Sequence, residues 1–388
     1  MVGPLDGIRV IELARVLAGP WAGQLLADMG ADVIKIENPE GGDETRHWGP
    51  PYMFDDQGNN LSAAYFHCCN RGKRSAAFDL KNADDLAAVR KLIASADVVI
   101  ENYKVGALQK YGLDYAAMAA VNPRLVYCSI TGFGQTGPYA HRAGYDFIIQ
   151  GMSGFMSVTG EPDGQPMKAG VAITDILSGL YAVSAINAGL IKALKTGRGS
   201  HIDIALMEVM SAALANQNMN YLATGNAPER LGNAHPNIAP YQVIEVADGH
   251  IILAVGNDGQ FARLCAILGA DALASDARFA TNHARVENRD ALTGLLGDKT
   301  RTWKRDDLIA ACEKTAVPVG AINTIEQMFA DPQIIARELQ IFTDGGVAGV
   351  RSPIFIDGVA AANKRSSPRL GEHTGEVLQE LRHLSVKP

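Results

Sequence analysis

The sequence predicts an α/β protein: a large domain on a largely parallel sheet, followed by a smaller α+β domain. Three observations carry that expectation. Strand-like and helix-like patterns alternate through the first third of the chain. The character then changes at Tyr241, where YQVIEVADGHIILAV reads as a hairpin turning at Asp248-Gly249, with helical patterns up to about Cys312. Finally, 388 residues exceed what one ordinary core holds, so two domains are the default.

Taken in order, IRVIEL (8–13) reads as a buried strand and PWAGQLLADM (20–29) as a helix with proline in its first turn. ADVIKIE (31–37) is the next strand and completes a βαβ unit. Strand patterns recur at 75–80, 98–101 and 125–130, with helical segments at 83–94 and 107–119 between them. TGFGQTGPY (131–139) is a glycine-rich loop, and 152–170 is irregular. A helical pattern occupies 204–222, and ATGNAPERLGNAHPNIAP (223–240) is a long Gly/Asn/Pro loop of the kind that often serves function. The expected division is a large domain over 1–200, a linker helix over 201–224, a small α+β domain over 225–330, and a segment over 331–388 that returns to the large domain.

Bulk composition removes several function classes. Charged residues are 20% and hydrophobic ones 47%, which is globular. The formal net charge is −7 with no Lys/Arg cluster, so nucleic acid is not an expected partner. Cys68, Cys69, Cys128, Cys265 and Cys312 have no metal-ligand spacing and read as reduced thiols of a cytoplasmic protein. The nine histidines form no HExxH or His–Cys cluster, and GxSxG is absent, so metal and serine-triad hydrolases drop out and no metal is expected. No signal peptide is indicated. The apolar run 169–191 carries Asp175, Ser178, Ser184 and Asn187, a polar load that suits a buried helix better than a membrane span.

Asp175 is the only charged side chain in that run. A carboxylate is costly to desolvate without a partner, so its presence needs a reason. Thr174 or Asp175 is able to cap a helix starting at Ile176. Alternatively, a carboxylate at a helix N-terminus facing a glycine-rich loop is an available nucleophile. Arg15, Lys35, Lys81, Lys104 and Lys110 lie at or near predicted strand C-terminal ends, the edge where open α/β sheets bind ligands, and suit a phosphorylated one. The first βα turn, ARVLAGPWAG, lacks GxGxxG; Glu37 at the end of the second strand keeps an NAD-dependent dehydrogenase as a remote alternative. His235 stands in the long loop at a place able to cover a site.

Seven blocks in order resemble the class III CoA-transferase family, of the CaiB–BaiF type: the opening stretch from PLDGIRVIELARVL to GGDETR, NRGKRSAAFDLK, VIENYKVGALQKYGLD, SITGFGQTGPY, TGRGSHIDIALME, LGNAHPNIAPYQ and SPRLGEHTGEVL. The resemblance implies a Rossmann-like large domain and an intertwined, interlocked-ring homodimer. It implies coenzyme A as the ligand, carried in as acyl-CoA, with no NAD and no metal. It places the catalytic nucleophile on Asp175, which would form an aspartyl–acyl anhydride and then an aspartyl-CoA thioester. CoA contacts carry over to Leu17, Ala18, Asn38, Phe78, Asp79, Leu80, Lys81, Asn102, Tyr103, Lys104, Lys110, Tyr145 and Asp146; Asn38 and Lys110 stand where some members have Arg. Trp48 and the Gly232–His235 loop, Asn233 included, match positions that touch the acyl group, and Arg46 and His235 are candidates for reading a second carboxylate. GNAHPN replaces the glycine-only loop of formyl-CoA transferases, which argues against the formyl-CoA/oxalate pair and toward succinyl-CoA with a small dicarboxylate or hydroxy-acid acceptor. The α-methylacyl-CoA racemase branch pairs its Asp with a His in a Gly-His-Asp block; here the block reads Gly144-Tyr145-Asp146, which lacks that base. An inactive CoA-binding protein is a third reading, and the presence of Asp175 speaks against it.

Overall fold

The computed structural model describes residues 3–383. The chain divides into two compact units. The first contains residues up to Phe155, Lys168–Ala223 and the chain from Pro332 onward; the second contains Met156–Met167 and Thr224–Asp331.

The first unit is built on β1 (Arg9–Glu12), α1 (Ala18–Asp28), β2 (Asp32–Glu37), a β3–β4 hairpin (Tyr52–Phe54, Asn60–Ala63), α2 (Ala64–His67), β5 (Arg74–Ala77), α3 (Ala83–Ala94), β6 (Val98–Glu101), α4 (Tyr115–Val121) and β7 (Val126–Thr131). It continues with α5 (Asp146–Met152), α6 (Ile173–Thr196), β8 (Ser200–Ala205), α7 (Leu206–Ala213) and α8 (Asn216–Thr224). The main sheet runs β5-β2-β1-β6-β7-β8, every neighbouring pair parallel. With the hairpin set aside, that is the Rossmann order, and it reverses between β1 and β6.

Both faces of the sheet are covered, as a parallel sheet requires. On one, Val10, Val98 and Val126 pack on α1 and α6 through Ala22, Leu26, Ala182 and Ile186. On the other, Ile11, Ile34 and Val99 pack on α3 through Val89, Leu92 and Ile93. Alternate strand residues supply the two layers because successive side chains point to opposite faces. Helix α6 lies close to the first βα turn because Gly179 has no side chain: a Cβ there would stand 2.8 Å from the Ala18 carbonyl oxygen. Its length and composition would allow a membrane span, yet 44% of its most apolar window is buried within the fold.

The final segment docks on the edge strand. The Ala77 N–H donates to Thr374 Oγ1 at 2.9 Å and the His373 N–H to the Ser75 carbonyl at 2.8 Å, while Val377 and Leu381 enter the α3 layer. In the second unit, β9 (Tyr241–Val246), β10 (Gly249–Ala254) and β11 (Val319–Ala321) form an antiparallel sheet in the order β11-β10-β9.

Several sequence expectations shift. The segment 204–222 is not one helix: Ile202 and Ile204 alternate with polar residues, and SHIDIA becomes the sixth sheet strand. The 107–119 segment holds a short 3₁₀ turn (Gln109–Tyr111) broken by Gly112 before α4. The hairpin turns at Ala247-Asp248, because Gly249 already pairs with Val246. Met156–Met167, expected in the large domain, groups with the second unit.

Candidate active site

Where strand order reverses, the chain leaving β1 and the chain leaving β6 diverge and open a crevice. Asn102 ties these two exits together, accepting the Arg15 N–H at 2.9 Å and donating to the Arg15 carbonyl at 2.7 Å. A cavity of about 380 Å³ opens there. Leu17, Ala18, Asn102, Tyr103, Lys104 and Tyr145 line it together with Asp175. A second cavity of about 240 Å³ is lined by Asn38, Phe78, Asp79, Leu80 and Lys81, and Arg15 and Tyr103 border both. Side chains from separate segments therefore converge on two neighbouring hollows in one unit. Lys110 and Asp146 line neither: the Lys110 ammonium lies 4.7 Å from the Tyr111 ring centroid, and Asp146 has a different task.

That task is capping. Helix α6 starts at Ile173, not Ile176, and its own N-cap residue, Ala172, has no side-chain acceptor. Asp146, from the first turn of α5, supplies one: Oδ1 accepts the Thr174 N–H at 2.8 Å and the Asp175 N–H at 3.4 Å. Gln150 steadies this carboxylate by donating to Oδ2 at 2.7 Å. The local-cap reading of Thr174 or Asp175 is thereby corrected. Asp175 is the third residue of the helix, within its first turn, and its carboxylate has no hydrogen bond or ion pair among the described residues. Burial, and secondarily the negative charge of Asp146, pushes it up to about 7. The result is a desolvated, unpaired carboxylate facing a cavity, the condition expected of a reactive group rather than a structural one.

Tyr65, on α2, was not singled out by sequence and offers no motif that would have done so. Burial raises its phenol, and the charges of Cys68 and Asp175 add to that. Trp48 packs edge-on against the Tyr65 ring at 5.3 Å, so Trp48 and Asp175 share a neighbour. Arg142 also lines the larger cavity, its guanidinium 4.4 Å from the Tyr139 ring centroid.

Arg46 departs from its expected role. It is 6% exposed, forks onto Glu37 at 2.7 and 2.9 Å, donates to the Pro368 carbonyl at 3.1 Å and lies 3.7 Å from the Phe66 ring centroid. It borders neither cavity and serves as a buried structural ion pair. Gly232, Asn233 and His235 belong to the second unit. There Gly232 adopts φ +58° and Asn233 borders an open hollow with Asp248, His250 and Arg305. The His235 ring packs 5.2 Å from Tyr241.

Comparison with known proteins defines the class. The family model of CoA-transferase family III matches residues 5–374. The chain belongs to this family and is a family III CoA-transferase. It is 63% identical to a succinate–glutarate CoA-transferase of Agrobacterium fabrum, over 97% of this chain and 96% of that protein. It is 39% identical to an acetyl-CoA:oxalate CoA-transferase of Acetobacter aceti, over 97% of this chain and 96% of that protein. Among solved structures, a CaiB/BaiF family protein from Brucella suis superposes with a TM-score of 0.88 at 58% identity, covering 98% of this chain and 100% of that one.

Proposed function

We propose that the chain moves CoA from succinyl-CoA to a small dicarboxylic acid of the glutarate type, with Asp175 as the covalent carrier. The observation that carries this reading is the unpaired Asp175 carboxylate in the 380 Å³ cavity, released from capping duty by Asp146. The likeness to the Agrobacterium fabrum enzyme supports the choice of substrates.

In the first step, a carboxylate oxygen of Asp175 attacks the thioester carbonyl; the C–S bond breaks, leaving an aspartyl–acyl anhydride and CoA thiolate. The thiolate attacks the aspartyl carbonyl, forms aspartyl-CoA and expels the donor acid as its carboxylate. The acceptor carboxylate then attacks this thioester, giving a new anhydride and thiolate. The thiolate finally attacks the acceptor's acyl carbon and regenerates the Asp175 carboxylate. Both hollows together accommodate the ligand: the Asn38–Lys81 hollow takes the nucleotide, and the cavity from Tyr103 to Asp175 takes the pantetheine and thioester. The backbone N–H groups of Leu17 and Ala18 would stabilise the oxyanions, since those at the start of α6 already donate to Asp146 and to nearby carbonyls. Trp48 is assigned to the acyl group by family resemblance. A racemase reading would need a second base, and no histidine is among the residues lining the Asp175 cavity; Tyr145 occupies the matching position.

The active form is an intertwined cytoplasmic homodimer. Its support is the exposed apolar surface of one unit: Tyr181 and Leu194 on α6 are 50% and 69% exposed, and Leu222 on α8 is 71% exposed, which suits coverage by a second copy.

The test is Asp175→Asn with glutarate and succinyl-CoA. Transfer should fall by about three orders of magnitude or more, as for loss of a covalent nucleophile. Hydroxylamine should trap an adduct at Asp175 only in the wild type. Transfer surviving in the Asn variant would overturn the covalent reading.

A further inference from the structure

Beneath the first βα turn lies a buried, charge-balanced cluster: Glu12, Lys35, Asp43 and Lys73 are each 0% exposed. Lys35 Nζ meets Glu12 Oε1 at 3.0 Å, Asp43 Oδ2 at 2.9 Å and the Ala14 carbonyl at 2.7 Å. Lys73 Nζ meets Glu12 Oε2 at 2.8 Å, Asn70 Oδ1 at 2.8 Å and the Pro20 carbonyl at 2.8 Å. Two buried ammonium groups thus hold the carbonyls on either side of the turn. Asp43 completes the grip by accepting the Val16 N–H at 3.2 Å, and also takes the Thr45 N–H at 3.0 Å.

Val16 has φ +69°. A β-branched residue rarely adopts the left-handed region, and such conformations persist only where the surroundings over-determine them, characteristically at active sites. A buried ionic cluster of this kind is seldom the most stabilising filling for a core, so stability alone does not account for it. Leu17 and Ala18, next in the chain, line the Asp175 cavity.

We infer that Asp43, anchored by Lys35, is a positioning residue: it holds Val16 in its strained conformation and thereby aims the Leu17 and Ala18 backbone at the bound thioester. This rests on the transferase reading above.

Asp43→Asn keeps the volume but breaks the charge pairing, and Val16→Gly lets the backbone adopt positive φ without strain. In the Val16 background, D43N should weaken binding of free CoA, read by titration calorimetry, and lower kcat, each by about tenfold or more, as expected for a misaimed site. In the Val16→Gly background the same change should cost several times less. Asp43→Glu keeps the ion pair and the fold but moves its oxygens off the Val16 N–H; it should hold the melting temperature and still lose CoA affinity. Equal losses in both backgrounds, or full CoA affinity in D43E, overturn the inference while leaving the transferase reading intact. A wild-type chain with no affinity for CoA overturns both.

Discussion

Asp146 Oδ1 accepts the Thr174 N–H at 2.8 Å, so the cap of α6 comes from a neighbouring helix and not from Asp175. One acidic residue does structural work while the other, one residue past the capped position, stays unpaired. The same proximity raises the Asp175 carboxyl, after the larger effect of burial. Two consequences for pH follow, and a third concerns Arg46.

Under the proposed covalent mechanism, acylation requires the Asp175 anion. With its carboxyl at about 7, kcat/KM for the acyl-CoA donor should rise with pH through about 7 and then level. Asp146→Asn retains an oxygen acceptor for the Thr174 N–H but removes the neighbouring charge. The acid limb should then move to lower pH with the melting temperature nearly kept. A pH–rate profile unchanged in the Asn variant would show that Asp146 does not tune the nucleophile.

Folding stability should carry the opposite signature. The Asp175 carboxyl binds its proton more tightly folded, at about 7, than its ordinary 3.8. Below about 4 the group is protonated in both states and contributes nothing; from there to about 7 the folded state loses ground as pH rises. Above about 7 the ionised, half-buried carboxylate destabilises the free protein, by roughly 1–4 kcal/mol once partial solvent access is allowed for. Asp175→Asn should therefore raise the denaturant midpoint at pH 8 and leave it unmoved near pH 4, in the same variant that has lost transfer. A midpoint gain of equal size at both pH values would contradict the assignment.

Arg46→Met should act on the fold and not on substrate choice. It leaves Glu37 without its guanidinium partner in a buried setting, a loss of about 3–5 kcal/mol. The ratio of kcat/KM between dicarboxylic and monocarboxylic acceptors should stay within about twofold of the wild type, since Arg46 borders neither cavity. A selective loss with dicarboxylates, measured on folded protein, would return Arg46 to the substrate.

Much of the layout is legible in the chain itself. Strands such as VVIE (Val98–Glu101) and helices such as Ala83–Ala94 declare themselves through runs of buried apolar residues and an Asn82 cap, because periodicity and capping are local properties. Asp175 is conspicuous for a local reason as well: a single charge in an apolar run is costly wherever that run is buried. The βαβ rhythm and the residues closing each strand also point to one edge of the sheet, where cavity-lining residues from Leu17 to Tyr145 gather.

What only the tertiary structure decided is which charges are spoken for. Local sequence shows Asp146, Asp175, Lys35 and Arg46 alike as ionisable side chains. Long-range packing sets Asp146 against the start of α6 across 28 positions, seals Lys35 between Glu12 and Asp43, and turns Arg46 onto Glu37. Asp175 alone of the four is left without a partner among the described residues. A charge's partner depends on which distant segments the fold brings within hydrogen-bond reach, and its burial on what covers it. Both are fixed by packing and not by neighbours in the chain, so the sequence determined the sheet, its edge and the candidate nucleophile, and the fold determined why that carboxylate is left unpaired.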